Sequence, residues 1–596
     1  MTNPGDSKPR PRQDRPEVLA PGGSTDAIIA AVQAGADAVY VGVGPLNART
    51  RAANLTQDQL PAVVRYAHSA GAAIHVALNV PVTRSTLADA AETLAAAWLS
   101  GADAVIVRDP ILMRLAAQHF PGMALHASTQ FGVLGPAGAH RARDLGCTRL
   151  ILARELSLDE IRRIRKAVPD IELESFFFGA LCFGISGQCL LGEAVARRSG
   201  NYGNCAQACR LEYFTQDGTP LGRIFSMKDL DLFPRIRELV DAGIWSLKIE
   251  GRMKSPAWVR CVTSWARRAS GKWRSGGLSK SELAEFRRDV ALLFSRPRTS
   301  GFLDGTTDAA DLTCPSLSGQ AGLPVERFVL TRTATRSGGK GHAVRFAAPV
   351  DLAVYDGLQV TTGRTAPGLT EVFSIQELTD GQGRAAKRIA AGQEAVVVLP
   401  LDLPPLTLAI HSANSAAARY AASASGELSD PTFDEGIPRP QATRFVIQDG
   451  RLVLAGRIGR FQAELDFPVE VQPARNEGLT PALVHRYFPQ AECEMPAGLY
   501  VNPSELKARR REFADAMRGR YAQRLKLLAE SLLASLDPEA LPFQPEDQIL
   551  LARGPACVSR VTGLPAGEVR TSGGDRFRIE PAPRGTLVRH IRRSGI

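Results

Sequence analysis

The 596-residue sequence has no uninterrupted apolar run of the ~18 residues that a membrane-crossing helix needs, so no membrane partner is expected. Its opening, MTNPGDSKPRPRQDRP, is polar and Pro-rich and has no apolar signal-peptide core. Residues 1–15 therefore read as a disordered tail, and the protein as cytoplasmic. In that compartment its nine cysteines are reduced thiols, available as metal ligands, and not disulfides. An HExxH metal motif and a GxSxG nucleophile elbow are both missing, which removes the two commonest sequence signs of hydrolysis. Negative charge is in deficit: 72 Lys and Arg face 61 Asp and Glu, for a net +11, and Arg far outnumbers Lys. That surplus favours polyanionic partners, nucleic acid first, against a basic protein with no such partner.

What is present is ordinary for a globular protein: 44% hydrophobic and 22% charged residues. The chain is too long for one core, and three or four domains are expected. From Glu17 to about Gly271, β-rich apolar runs alternate with Ala-rich helical stretches such as Thr25–Ala34, Gln57–Ala70, Leu87–Leu99 and Leu158–Val168. The runs are Glu17–Ala20, Ala38–Val43, Ala73–Val80, Ala104–Arg108, Met123–Ser128, Arg149–Ala153, Ile171–Phe178 and Trp245–Glu250. The phrases AGADAVYVG and SGADAVIVR repeat one helix–turn–strand junction. Eight such units predict an α/β fold, an N-terminal (β/α)8 TIM-like barrel, with a doubly wound open sheet as the alternative. The active face of a barrel is the C-terminal end of its strands. That places Asn79, Arg108, Asp109, Ser128, Thr129, Gln130, Arg154, Glu155 and the run Lys248–Arg252 at the mouth. Period-two alternation puts Lys248 and Glu250 on one side of their strand. The Gly42–Gly44 pair lacks the third glycine of a dinucleotide site. Ser24 reads as a helix cap, and His75 and His126 as core or mouth histidines.

The stretch from Glu174 to Arg210 carries four cysteines, spaced Cys182-x6-Cys189-x15-Cys205-x3-Cys209. Four thiolates in one glycine-rich loop suit an iron–sulfur cluster or a tetrahedral zinc, and unligated thiols remain a third reading. Cys147, Cys261, Cys314, Cys493 and Cys557 are scattered and read as structural.

The pattern Glu174-x-Phe176-x2-Gly179-Ala180-Leu181-Cys182-x4-Gly187-x-Cys189-x-Leu191 resembles the signature of the collagenase-like peptidase family. The phrases AVQAGADAVYVG, NYGNCAQACR and SMKDLDLFPRIRELVDAGIWSLKIEGRMKSPAWV agree with it. The likeness spans Pro16 to about Arg268. Two positions depart from it: Gly192 stands where the signature ends in serine, and Phe178 where the family often has histidine. The family name implies proteolysis, but other members hydroxylate tRNA uridine, a 23S rRNA cytidine or the ubiquinone ring. The resemblance implies a [4Fe–4S] cluster on Cys182, Cys189, Cys205 and Cys209. For the RNA-acting branches it also implies prephenate as a small acidic co-substrate, with the electron donor left unidentified.

The second half is expected to divide into a helical linker (276–324), a β-rich domain (325–440), a second β-rich segment (441–500) with an Asp449-Gly450 hairpin turn, and a basic helical region (501–596). Its length and the phrase PSELKARRR resemble the ribosomal RNA branch of the family. The resulting expectation is iron–sulfur-dependent 5-hydroxylation of a cytidine in 23S rRNA or a ribosome precursor, then tRNA uridine hydroxylation, then peptidase activity. Arg154 and Arg252 are candidate carboxylate partners, and Gln130 and Asn79 candidate readers of a base edge. Glu155, Glu250 and Lys248 are candidates for proton handling or for holding the arginines.

Overall fold

The computed structural model describes residues 14–305, 307–317, 319–334, 340–362, 370–400, 405–420, 440–474, 478–536, 557–562, 564–571, 575–582 and 585–591. Residues 1–13 of the expected tail, and 592–596 at the other end, lie outside the described residues.

Eight parallel strands close into a barrel. They are β1 (Glu17–Gly22), β2 (Ala38–Gly42), β3 (Ala73–Leu78), β4 (Ala104–Val107), β5 (Ala124–Ala127), β6 (Arg149–Ile151), β7 (Glu172–Ala180) and β8 (Ile244–Glu250). β8 pairs in parallel with both β7 and β1, which excludes an open sheet. Local chemistry sets the connecting helices. Ser24 caps Thr25–Gln33 by accepting from Ala27 N at 3.2 Å, and Ser157 with Glu160 forms a capping box on Leu158–Ala167. The run after β8 begins with Ser255 and Pro256 at the start of the helix Pro256–Gly271. Phe178 points outward into an aromatic cluster with Phe233, Trp258 and Phe286, its ring 5.2 Å from that of Phe286. The residue at this departure from the family pattern thus packs the barrel wall.

The barrel interior is polar. Arg149, buried on β6, donates to Glu17 on β1 at 2.6 Å and to Glu172 and Glu174 on β7 at 2.9 and 3.1 Å. Glu174, fully buried, also receives Lys248 Nζ from β8 at 2.8 Å. Burial raises the Glu17 carboxyl, but Arg149 overcomes this and holds it at about 2. Beside this network, with His126 in register with Arg149, the rings of His75 and His126 meet edge to face at 4.8 Å. Burial lowers both histidines, His75 to about 4, so they are neutral at neutral pH.

Beyond the barrel, strands between Leu323 and Ser412 form two four-stranded sheets around a separate core that includes Val344, Phe346, Leu358, Val397 and Ile410. Gln441–Gln448, Arg451–Ile458 and Phe461–Pro468 form an antiparallel sheet. Its first turn has Asp449 and Gly450 at positive φ, the geometry of a two-residue hairpin loop. The helix Pro503–Ala534 buries Leu506, Phe513, Met517 and Tyr521, and Tyr521 Oη meets Ser100 Oγ of the barrel at 3.1 Å. Among the described residues, the expected helical region 501–596 is helical only here. Cys557–Ser559, Gly567–Thr571, Arg576–Ala582 and Gly585–Ile591 are strands, in keeping with their alternating Val, Ile and Phe. They join Tyr213–Thr215 and Pro220–Gly222, which follow the cysteine loop, in a six-stranded sheet.

Replacing Arg149 with Met would strand the buried Glu174 and the half-buried Glu17 and Glu172, and the expected destabilisation is about 3–5 kcal/mol. Urea unfolding of wild type and variant at neutral pH measures it, and an unchanged midpoint would refute the role given to the network.

Candidate active site at the barrel mouth

One cavity opens at the C-terminal end of the strands, and Asn79, Gln130, Arg154, Lys248, Glu250 and Arg252 all line it. Of the residues expected there, Arg108, Asp109 and Glu155 are absent from its wall, as are Ile249 and Gly251 of the run Lys248–Arg252. Two polar residues not singled out from the sequence, Tyr40 and Arg49, join them, and the cysteine loop adds Cys182. Tyr40 was detectable as the inward position of a period-two strand, and Arg49 only as one of two arginines in the loop after β2.

Glu250 organises the cations. Its carboxylate accepts from Arg154 at 2.7 Å and from Arg49 at 3.0 Å. Burial pushes the carboxyl up, but Arg49, then Arg154, outweigh it and hold Glu250 at about 2. Arg154 stacks on the Phe176 ring, 3.7 Å from its centroid. Arg252 donates to Asn47 Oδ1 at 2.9 Å and also to Asn54, and burial lowers it to about 10. Lys248 is committed to Glu174 and lies 4.4 Å from the Tyr40 ring centroid. Burial lowers its ammonium, against the pull of Glu174. Asn79 accepts from Ala48 N at 2.9 Å, fixing the β2 loop. Four buried atoms at this end have no partner among the described residues: Arg108 Nη1, Gln130 Oε1, Arg154 Nε and Arg252 Nε. Unpaired buried donors and an acceptor in one cavity are the pattern of a site that a polar ligand completes.

Glu155 binds the cysteine loop instead of facing the cavity. It accepts from Ser186 N at 2.7 Å and from Ser186 Oγ at 2.9 Å, and burial raises its carboxyl against those bonds. Arg108 donates to Gly187 O at 3.2 Å. Gly187 has a φ of +75°, and a Cβ there would lie 2.2 Å from Gln130 O, so only glycine lets the loop seat on the mouth. Gly192, the other departure from the family signature, leaves room for Arg198 O, which a Cβ would approach to 2.6 Å. Asn201 Nδ2 donates to Cys189 O at 3.0 Å, and Thr50 Oγ1 to Gly203 O at 3.0 Å.

The four cysteines converge. Burial pushes the Cys209 thiol up to about 12; Arg210 opposes this, and Cys189, Cys182 and Cys205 add to it. Cys205 accepts from Gln207 N at 3.3 Å. Among the described residues no three His, Cys, Asp or Glu side chains are gathered tightly enough for a single metal ion. All four thiols are free, and four thiolates in one loop are a donor set of the kind that zinc and iron–sulfur clusters use.

Glu250→Gln is expected to cost about 3 kcal/mol at neutral pH. The wild-type carboxyl is depressed, so its contribution is full above its unfolded value of 4.5 and lost as pH falls through about 2. Urea unfolding at a series of pH values should show the gap between the proteins narrowing across that window. A gap that does not change with pH would contradict the Arg49–Glu250–Arg154 assignment.

Comparison with known proteins gives the chain its relatives. The sequence profile of peptidase family U32 matches residues 23–313. The 23S rRNA 5-hydroxycytidine synthase of Escherichia coli is 40% identical over 259 residues, which is 42% of this chain and 38% of that protein. The chain thus spans well under half of that relative. The tRNA hydroxylation protein P of the same organism is 30% identical over 438 residues, 65% of this chain and 94% of that protein. A collagenase of Porphyromonas gingivalis is 31% identical over 307 residues, 48% of this chain and 72% of that protein. With its barrel, its cysteine loop and these relatives, the chain belongs to peptidase family U32.

Proposed function

We propose that this protein is an RNA-modifying enzyme that hydroxylates C5 of a pyrimidine, a cytidine of 23S rRNA first and a tRNA uridine second. One juxtaposition carries this reading: Cys182 lines the same cavity as Arg49, Arg154, Glu250 and Arg252. A thiol-rich loop and an anion-binding arginine set therefore share one mouth. Relatives named for hydroxylation of rRNA and of tRNA support it.

Cys182, Cys189, Cys205 and Cys209 would hold a [4Fe–4S] cluster, which supplies one-electron chemistry when bound. Arg154 and Arg252 have unpaired Nε donors, suited to the carboxylates of a small acid such as prephenate. Glu250 holds Arg49 and Arg154 in position for it. A base must leave its stack to enter so narrow a mouth. Gln130 Oε1, buried and unpaired, is an acceptor for the N4 amino group of cytidine, whereas uridine presents the O4 acceptor there. Turned over, the same amide offers its NH2 to uridine O4, so cytidine is placed first on the likeness to the 23S rRNA 5-hydroxycytidine synthase.

Anaerobic purification should yield a brown protein with bound iron and sulfide, and Cys182→Ala should lose both colour and modification. A colourless wild-type protein holding only zinc would defeat the redox reading. Mass spectrometry of RNA from a deletion strain decides the substrate: missing 5-hydroxycytidine in rRNA supports the first assignment and missing 5-hydroxyuridine in tRNA the second. No change in either would leave peptidase activity as the reading to assay.

A further inference from the structure

A second concave surface lies away from the mouth. Its floor is the N-terminal half of the helix Pro503–Ala534, and one wall is the strand edge at Gln441 and Ala442 with the turn Tyr487–Gln490. Arg65, on the barrel helix Leu60–Ser69, closes the other side. We propose that this groove holds the phosphodiester backbone of single-stranded RNA while the mouth holds the target base. The proposal rests on the RNA reading above for its partner and on its own residues for its location.

The charge distribution along the helix points to an anion. Lys507, Arg510 and Arg511 line the groove and are exposed. Among the described residues none of the three makes an ion pair or hydrogen bond. Other basic residues of the same helix are engaged: Arg509 by Glu505 at 3.0 Å and by Glu512, and Arg520 by Glu464 O at 3.2 Å. Arg518 pairs with Asp515, the one acid among the described residues lining the groove. Spacings of three and four residues put Lys507, Arg510, Arg511 and Arg518 on one face. They span about 16 Å at 1.5 Å per residue, a length that meets several successive phosphates. Like charges left together without counter-charge repel one another, a cost that a polyanion in the groove removes.

Shape and composition favour RNA over an acidic protein. The surface is a groove, which tracks a backbone. It contains the half-buried ring of Tyr487 beside the cations, the pairing of stacking platform and positive channel used by single-strand binders. Three of the four helix cations are arginine, whose planar fork matches a phosphate edge.

Fluorescence anisotropy of the full-length protein with a fluorescein-labelled single-stranded RNA oligonucleotide, over a salt series, tests this. The triple variant Lys507→Ala, Arg510→Ala, Arg511→Ala should bind roughly tenfold more weakly at low salt, and its log–log salt slope should fall by about 2, near 0.7 for each lost phosphate contact. Arg509→Ala, on the same helix but already paired, should leave the slope near that of wild type. Circular dichroism and the thermal midpoint establish that each variant is folded. An unchanged slope in the triple variant overturns the proposal, as does displacement of the RNA by polyglutamate at equal charge. The assay reads binding alone. A deletion strain with unaltered pyrimidines would remove the hydroxylase reading and leave this result standing, and a groove variant that binds like wild type would do the reverse.

Discussion

A buried ionic ladder runs through the barrel, and the rest of the site depends on it. Barrel interiors are ordinarily layers of branched apolar side chains. Here Arg149 gathers Glu17, Glu172 and Glu174, and Glu174 in turn holds Lys248. Removing one member of such a set leaves the others charged and desolvated, which costs far more than the set contributes as a whole. The members come from β1, β6, β7 and β8, so the ladder spans the seam where the barrel closes. A slip of one residue in any of these strands would turn a charge outward. The same strands carry Phe176, midway along β7, and Glu250, at the end of β8, so the ladder that fixes the register also aims the residues that hold Arg49 and Arg154.

That arrangement divides roles among side chains that look alike in sequence. Lys248 and Glu250 are two residues apart and face the same way, yet Lys248 is committed downward to Glu174 while Glu250 faces the arginines of the mouth. Arg154 and Glu155 are adjacent and face different things: one lines the cavity and the other pins Ser186 in the cysteine loop. The loop is tied to the mouth through Glu155, Arg108 and Thr50, and its outgoing strand pairs with the C-terminal Gly567–Thr571. Arg560, from the same C-terminal region, reaches Glu155 O and the Glu160 carboxylate, at 2.7 Å for the latter. The end of the chain thus braces the loop that carries the thiols.

The barrel was legible in the sequence because its signals are local. Each strand is a short β-branched run, each helix is capped by its own neighbours, and the junction around Ala36–Asp37 recurs near Ala102–Asp103. Strand ends predicted from alternation reached the mouth for Asn79, Gln130, Arg154, Lys248, Glu250 and Arg252. Arg49 did not stand out, because a loop arginine has no periodicity and becomes informative only when Glu250, 201 residues away, is found beside it. Strands 557–591 were missed for a related reason: their alternation is interrupted by basic residues and by turns, and their partner is Tyr213–Thr215, hundreds of residues earlier.

By itself, then, the sequence determined the alternating strands and helices, the four-cysteine loop and the basic helix, since backbone preference, capping and hydrophobic period act over a few residues. Only the tertiary structure decided which charges face one another: the Arg149–Glu174–Lys248 ladder, the Arg49–Glu250–Arg154 bridge, the turn of Glu155 toward Ser186, and the unpaired face of Lys507, Arg510 and Arg511. Those are contacts between distant segments, and whether a buried charge is paired, stranded or left for a ligand depends on what the fold brings to it.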